Sequence, residues 1–140
     1  MRVMAIDYGD AHTGVAVSDP TGTLTGFACT VDAWTPESTA EKIAALAVEH
    51  GAEELVLGYP KNMDGTLGPR AEKAEAMADL LRTATGLPVT LWDERRTTVD
   101  AHNILLRNGK NGKKRKKTVD AVAASLILEG YLARKRGGQF

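Results

Sequence analysis

The chain has 140 residues, 43% of them hydrophobic and 5% aromatic, and its formal net charge is zero. This length suits a single domain over residues 1–140, which can bury a core without disulfides or a structural metal. No signal segment precedes the first strand, and no apolar run approaches the ~18 residues needed to span a bilayer. We therefore expect a soluble cytoplasmic protein. Its single cysteine, Cys29, fits a reducing compartment, although one thiol could still link two copies.

The net charge hides a division along the chain. Residues 1–108 carry 9 Lys and Arg against 16 Asp and Glu, whereas residues 109–140 carry 9 against 2. Six of the basic residues lie between Lys110 and Lys117. Such a run is either a solvated flexible loop or a binding segment for a polyanion, because each neutralised phosphate releases condensed counterions.

The first half of the chain reads as strands followed by a helix. Strands are predicted at residues 2–7, 13–18 and 24–31. The second and third are joined by a turn at 19–22 and form a hairpin. The helix is predicted to be capped by Thr35, to start with Pro36 and to stop at Gly51.

The second half alternates strands and helices. A short strand at Glu54–Leu57 is followed by a loop at 58–68, and a helix is predicted from Pro69 to Gly86. A strand over 88–93 comes next.

Two more helices complete the pattern. Thr97 and Asp100 form a capping box that opens a helix closed by Gly109. A final apolar helix is predicted at about 118–134, with Thr118 as its N-cap and Asp120 in its first turn. The pattern predicts one mixed sheet covered by helices.

Three carboxylates end strands or open a helix in this pattern. Asp7 ends the first strand, Glu94 follows the strand at 88–93, and Asp120 lies at the start of the final helix. Hard cations such as Mg²⁺ bind through a few carboxylates and keep open positions for water and phosphate oxygens. The three acids therefore predict a divalent-metal site for phosphodiester cleavage. Asp93 is kept in reserve for Glu94, because neighbouring strand residues point to opposite faces.

Glycines surround the first of these acids. Asp7, Gly9 and Gly14 form an Asp-x-Gly-x₄-Gly element, which is either an ordinary hairpin turn or a place where phosphate approaches the main chain. Gly58 ends another strand. Asp7, Gly58 and Glu94 would all lie at carboxyl ends of strands, where α/β sheets bind their ligands.

The chain resembles the bacterial YqgF family, also named RuvX or Holliday junction resolvase-like. The resemblance is colinear from the first strand to the last helix and rests on the following motifs: Ile6-Asp7-Tyr8-Gly9, Gly14-Val-Ala-Val-Ser18-Asp19, Gly58-Tyr-Pro60-Lys-Asn-Met-Asp64-Gly65, Asp93-Glu94-Arg95 with Thr97-Thr98, and Lys113 to Lys117 before Asp120. One departure is Asp10-Ala11-His12, where many members carry basic residues.

The resemblance implies an RNase H-like fold with a five-stranded mixed sheet, whose first three strands are antiparallel, flanked by helices. It also implies a two-metal site for Mg²⁺ or Mn²⁺ on Asp7, Glu94 and Asp120. The family is assigned to maturation of the 5′ end of the small-subunit ribosomal RNA precursor, so ribosomal precursor particles are expected partners. Basic residues expected to hold the nucleic acid are Arg70, Arg95, Lys113, Lys114, Arg115, Lys116 and Lys117; for Arg70 a surface salt bridge is an equal alternative.

Other functions remain open at this point. The chain could resolve branched DNA junctions, or it could bind nucleic acid without cleaving it. A sugar-kinase-like phosphotransferase is disfavoured, because such enzymes close two domains of this kind over the nucleotide. The sequence does not separate RNA from junction DNA, or a monomer from a homodimer.

Overall fold

The structure, a computed structural model, describes residues 2–9, 11–22, 24–59, 68–93 and 112–137, with side chains of the last range described for 121–135. Its centre is a five-stranded sheet in the order β3-β2-β1-β4-β5. The strands are β1 (Val3–Asp7), β2 (His12–Ser18), β3 (Thr25–Asp32), β4 (Glu54–Tyr59) and β5 (Val89–Asp93). β1 pairs antiparallel with β2 and parallel with β4.

The other two strands extend this core outward. β3 pairs antiparallel with β2, and β5 pairs parallel with β4. β1, β3, β4 and β5 therefore all end at one edge, here called the carboxyl edge. The predicted fold of five strands with the first three antiparallel is confirmed.

Three helices are described: α1 (Pro36–His50), α2 (Pro69–Thr85) and α3 (Gly112–Gly137). The predicted caps of α1 are confirmed, because the Thr35 side chain accepts a hydrogen bond from the Ser38 N–H and Gly51 has a φ of 66°. Gly86 ends α2 with a φ of 69°. Among the described residues, no helix has both the length and the apolar character needed to cross a membrane.

The sheet has one core on each face. Met4, Ile6 and Leu57 pack against α1 and α2, whereas Val3, Ala5 and Val56 pack against α3. This division follows from the alternation of side chains along each strand. The two faces are called the α1/α2 face and the α3 face.

Small residues let α3 lie close to the sheet. Ala5 and Ala16 are fully buried beneath Ala124 and Ile127 of this helix. Close packing of this kind fixes the helix across β1, β2 and β3.

The start of α3 corrects the prediction for this part of the chain. The helix includes Gly112, so Thr118 is inside it rather than its N-cap, and Asp120 lies beyond its first turn. The run from Lys113 to Lys117 is helical and not a loop. Lys and Arg are good helix formers, and no glycine or proline interrupts the run of basic residues after Gly112. The predicted helix between Thr97 and Gly109 lies outside the described residues.

β4 is also longer than predicted. Gly58 and Tyr59 continue the strand, because they pair with Trp92 and Asp93 of β5. The extension carries β4 up to the level at which β1 ends.

Candidate active site

Asp7 is the last residue of the central strand β1. Alternation along the strand places it on the α3 face, as it does Ala5 two residues earlier. Its register partner on β2 is Gly14. On β4 the residue at its level is Gly58, one position beyond the last parallel pair. A carboxylate flanked on both sides by residues without side chains has open space around it, which suits the binding of a hydrated cation or a phosphate.

The turn after Asp7 depends on Gly9. A Cβ at this position would lie 2.3 Å from the carbonyl oxygen of His12, which no real side chain tolerates. The Gly9 N–H also donates to the Thr13 hydroxyl at 3.3 Å, and Thr13 is buried. The glycine therefore permits a tight turn that holds the main chain close beside Asp7.

Asp93 lies on the other face of the sheet from Asp7. Its register partner is Tyr59, which belongs to the core on the α1/α2 face. Trp92, one residue earlier, packs in the α3-face core. The Tyr59 hydroxyl donates to Glu75 at 2.8 Å, and this hydrogen bond raises the pKa of Tyr59. Asp93 is thus on the face of the sheet that packs against α1 and α2. If β5 continued by one residue, alternation would place position 94 on the α3 face, as it does Asp7. Glu94 itself lies outside the described residues.

The direction of α3 places position 120 at the carboxyl edge. The Tyr131 hydroxyl donates to Glu54 at the start of β4, and Glu129 accepts from the Thr25 hydroxyl at the start of β3. Both contacts lie at the edge opposite Asp7, so α3 runs antiparallel to β1.

The distances along the two elements agree with this placement. From Val3 to Asp7 the strand rises about 13 Å at ~3.3 Å per residue. From Tyr131 back to Asp120 the helix covers about 16 Å at ~1.5 Å per residue. Since Val3 is level with Glu54, the partner of Tyr131, position 120 comes to roughly the height of Asp7.

The structure describes the side chain of one predicted basic residue, only the main chain of five others, and nothing of Arg95. Arg70, in the first turn of α2, donates from Nη2 to the carbonyl oxygen of Tyr8 at 3.3 Å, which puts it beside the end of β1. The main chain of Lys113 to Lys117 forms the first turns of α3, so these residues approach the same edge. Arg95 lies outside the described residues.

His12 and Asp32 form a pair at this edge that the sequence pattern did not predict. The His12 Nδ1 lies 2.7 Å from an Asp32 carboxylate oxygen, and the two residues are register partners on β2 and β3. Lys42 donates to the Asp32 carbonyl oxygen at 2.6 Å. The predicted hairpin brings these two strands together, but the register shift between Val17 and Ser18, which the sequence did not indicate, determines which residues lie opposite each other.

Within the described ranges, no three His, Cys, Asp or Glu side chains come together as a metal-binding group. The trio predicted from the sequence is not tested by this observation, because only the Asp7 side chain belongs to the described set. What the structure shows is one partly exposed carboxylate between two glycines, at the edge where β5 ends and the early turns of α3 pass.

The sheet order and the helices on both faces define an RNase H-like fold. Two solved structures with this fold align over most of both chains. A Thermus thermophilus RuvC in complex with a Holliday junction substrate aligns with a TM-score of 0.64 at 15% identity and covers 98% of this chain and 96% of its own. A Fowlpox virus resolvase bound to Holliday junction DNA gives 0.64 at 10% identity, covering 96% and 99%. At these identities the likeness concerns the fold.

The family follows from the sequence. The chain belongs to the RuvX family, whose model, described as Holliday junction resolvase, matches residues 1–134. A protein of Halothermothrix orenii named "Putative pre-16S rRNA nuclease" is 46% identical over 132 residues, covering 94% of both chains. A protein of the same name from Geobacillus kaustophilus is 43% identical over 138 residues, covering 97% of this chain and all of its own. The predicted family, fold and hydrolase class are confirmed.

Proposed function

We propose that the protein is a divalent-metal-dependent endonuclease that processes the 5′ end of the 16S ribosomal RNA precursor in the cytoplasm. The observation that carries the proposal is the open position of Asp7, between Gly14 and Gly58 at the end of the central strand. The names of the relatives support the RNA substrate. The family description and the titles of the two solved structures favour a second candidate, the resolution of DNA junctions.

The residues fit a site for Mg²⁺ or Mn²⁺. Asp7 offers a hard oxygen ligand in open surroundings, and we assign Glu94 and Asp120 as the other two ligands. Position 120 precedes Ala124, Ile127 and Tyr131 by four, seven and eleven residues, a spacing that repeats along a single helix face. Bound divalent ions would supply activation of water and stabilisation of the charge that develops on the leaving oxygen.

The basic residues would hold the substrate backbone. The main chain of Lys113 to Lys117 forms the first turns of α3, which approach the edge where Asp7 lies. Arg70 adds a guanidinium beside Tyr8, and Arg95 follows Glu94 directly in the sequence. A phosphodiester attracted by these basic side chains would approach Asp7. The carboxylates would not repel the phosphodiester once they hold divalent metal ions.

A cleavage assay that offers two substrates side by side tests both candidates. The ribosomal precursor leader and a synthetic four-way junction are each incubated with the protein and Mn²⁺ or Mg²⁺. We expect cutting of the leader, abolished in Asp7→Asn while RNA affinity is kept or raised. Cutting of the junction alone would establish the second candidate. A protein that binds both substrates and cuts neither with either ion would be a binding module, and the enzymatic proposal would fail.

A further inference from the structure

A cleft with two aromatic side chains opens next to the proposed catalytic edge. It measures about 240 Å³. Its lining residues are Tyr8, Trp34, Pro36, Lys73, Ala76 and Met77. Tyr8 directly follows Asp7 in the chain but packs with the core on the α1/α2 face. The cleft therefore lies at the same edge as Asp7 and on the other face of the sheet, so a strand bound at both places would pass over the carboxyl edge.

Every segment that forms this cleft comes to the carboxyl edge. Trp34 follows the end of β3, and Pro36 begins α1. Lys73 belongs to the first turns of α2, which starts at Pro69 after β4. By contrast, a larger cleft of about 460 Å³ is lined by Arg2 and Glu53, next to the starts of β1 and β4, and so lies at the opposite edge.

Trp34 is unusually exposed for so large an apolar side chain. Of its surface, 82% is accessible to solvent. It precedes the N-cap Thr35, where an apolar residue often packs on the fourth helical residue. Here that residue is Thr39, a buried threonine whose hydroxyl donates to the Thr35 carbonyl oxygen at 3.0 Å. Helix capping therefore gives Trp34 no packing partner of this kind, and its ring remains accessible to a ligand.

Cations accompany the aromatic rings. Lys73 lines the cleft, and Arg70, one turn earlier on α2, donates to the Tyr8 carbonyl oxygen. A flat apolar ring beside two positive side chains matches a nucleotide, whose base stacks and whose phosphate is negative. A fully paired duplex offers no free base face to such a ring.

We propose that this cleft binds an unpaired nucleobase of the substrate, stacked on Trp34, a few nucleotides from the scissile bond. The inference rests on the proposed nuclease function and adds the substrate class: a nucleic acid with a single-stranded segment at the cleavage site. A leader RNA with unpaired nucleotides meets this requirement, whereas a fully paired four-way junction does not.

Fluorescence tests the stacking directly. The chain has two tryptophans, so Trp92→Phe leaves Trp34 as the single indole. This variant is titrated, in EDTA to prevent cleavage, with a short single-stranded RNA and with a blunt duplex of the same length. We expect saturable quenching of Trp34 by the single strand and little by the duplex. Single-stranded DNA should also quench, because stacking requires only an unpaired base.

Substitutions separate stacking from general apolar docking. Trp34→Ala should weaken single-strand binding by about 5- to 150-fold, the loss expected for one base–aromatic stack. Trp34→Phe should restore most of the affinity, and Trp34→Leu should not. Val48→Ala is the matched control, because Val48 is 84% exposed on α1 but lies outside the cleft. Because Trp34 and Val48 are both exposed, these substitutions leave the core intact. A change in affinity can therefore be assigned to the substituted side chain and not to unfolding.

The inference is overturned if Trp34→Ala binds the single strand as tightly as the unmodified protein, or if the duplex quenches Trp34 equally. Full binding by Trp34→Leu would also overturn it, because an aliphatic side chain would then bind the single strand without stacking. The test reads binding without metal, whereas the nuclease proposal is decided by cleavage with Asp7→Asn as control. The two can therefore fail separately.

Discussion

At the scale of single residues, Gly9 determines whether the turn beside Asp7 can form. Gly9→Ala would place a Cβ 2.3 Å from the His12 carbonyl oxygen. We expect the main chain to shift, with a loss of about 1–3 kcal/mol in unfolding free energy, the usual cost of overpacking. Urea denaturation measures this loss, and nuclease activity should fall with it because Asp7 moves.

Gly130→Ala is the control for this prediction. A Cβ at Gly130 meets only the Trp92 ring at 3.5 Å, an ordinary contact, and alanine favours a helix by up to about 1 kcal/mol. Equal stability of the two variants would contradict the role given to Gly9.

Cys29 is a second residue whose behaviour follows from its surroundings. Burial raises the pKa of its thiol above the ordinary 9.0, and the nearby charge of Glu49 raises it further. The thiolate is the reactive form, so alkylation at neutral pH should be slow. The rate should rise with pH to a midpoint above 9.0, and Glu49→Gln should lower that midpoint. A midpoint at or below 9.0 would show that Cys29 is neither buried nor affected by Glu49. Because the Cys29 thiol stays protonated at neutral pH, formation of a disulfide with a second copy should be slow as well.

At the scale of elements, α3 is held to the sheet at one end and carries positive charge at the other. The Tyr131 hydroxyl donates to Glu54 at 2.5 Å, and the Tyr131 ring meets Trp92 edge-on at 5.8 Å. Tyr131→Phe keeps the ring contact and removes the hydrogen bond. We expect a loss of about 1.5–3 kcal/mol, because the acceptor is a carboxylate. Unchanged stability in urea unfolding would mean that this hydrogen bond does not hold α3.

The pH dependence of the same hydrogen bond has a defined sign. Burial and the hydrogen bond to Glu54 raise the pKa of Tyr131 above 10.0. The stability that the protonated Tyr131 hydroxyl contributes is therefore complete below pH 10. It is lost as the pH rises through the pKa of Tyr131 in the folded protein. As the pH is raised above 10, the unfolding free energy should therefore fall less in Tyr131→Phe than in the unmodified protein.

The opposite end of α3 should govern the salt dependence of binding. Replacing Lys113, Lys114 and Lys116 with Gln should flatten the plot of log affinity against log salt. The slope should change by about 0.7 for each phosphate of single-stranded RNA that the substituted side chains no longer neutralise. Lys135→Gln is a matched control on the same helix, because Lys135 pairs with Glu54 at the other edge. A slope unchanged by the triple substitution would remove the basic turns of α3 from the substrate-binding surface.

Elements also show what the sequence can predict. The caps of α1 and α2 are identifiable because Thr35, Gly51 and Gly86 act through local hydrogen bonds and φ angles. The start of α3 cannot be identified in this way, because Thr118 has the chemistry of a cap but the helix already begins at Gly112. Helix formation by the lysines competes with capping, and local sequence does not decide between them.

At the scale of the whole molecule, topology brings distant segments of the chain to one edge of the sheet. Four strands end at one edge, and α3 runs antiparallel to β1, so the chain at Asp7, the end of β5 and the first turns of α3 come to the same edge although they are far apart in the sequence. Alternation in the sequence indicates that Asp93 and its neighbour face opposite ways. Only the pairing of Asp93 with Tyr59 shows which face Asp93 takes. The cleft of Tyr8, Trp34 and Lys73 is likewise invisible in the sequence, because its residues meet only in the folded chain.

In the proposed function, catalysis takes place on the α3 face of the carboxyl edge, at Asp7. The most direct measurement is the Mn²⁺-dependent cleavage rate of Asp7→Asn beside that of Asp93→Asn, on one substrate, with folding checked by circular dichroism. Asp7→Asn should lose at least about 100-fold, since even outer-shell partners of metal ligands cost about 10- to 100-fold. Asp93→Asn, on the opposite face, should retain most of the activity. Cleavage that survives Asp7→Asn, or that is lost with Asp93→Asn instead, would contradict this placement of the site.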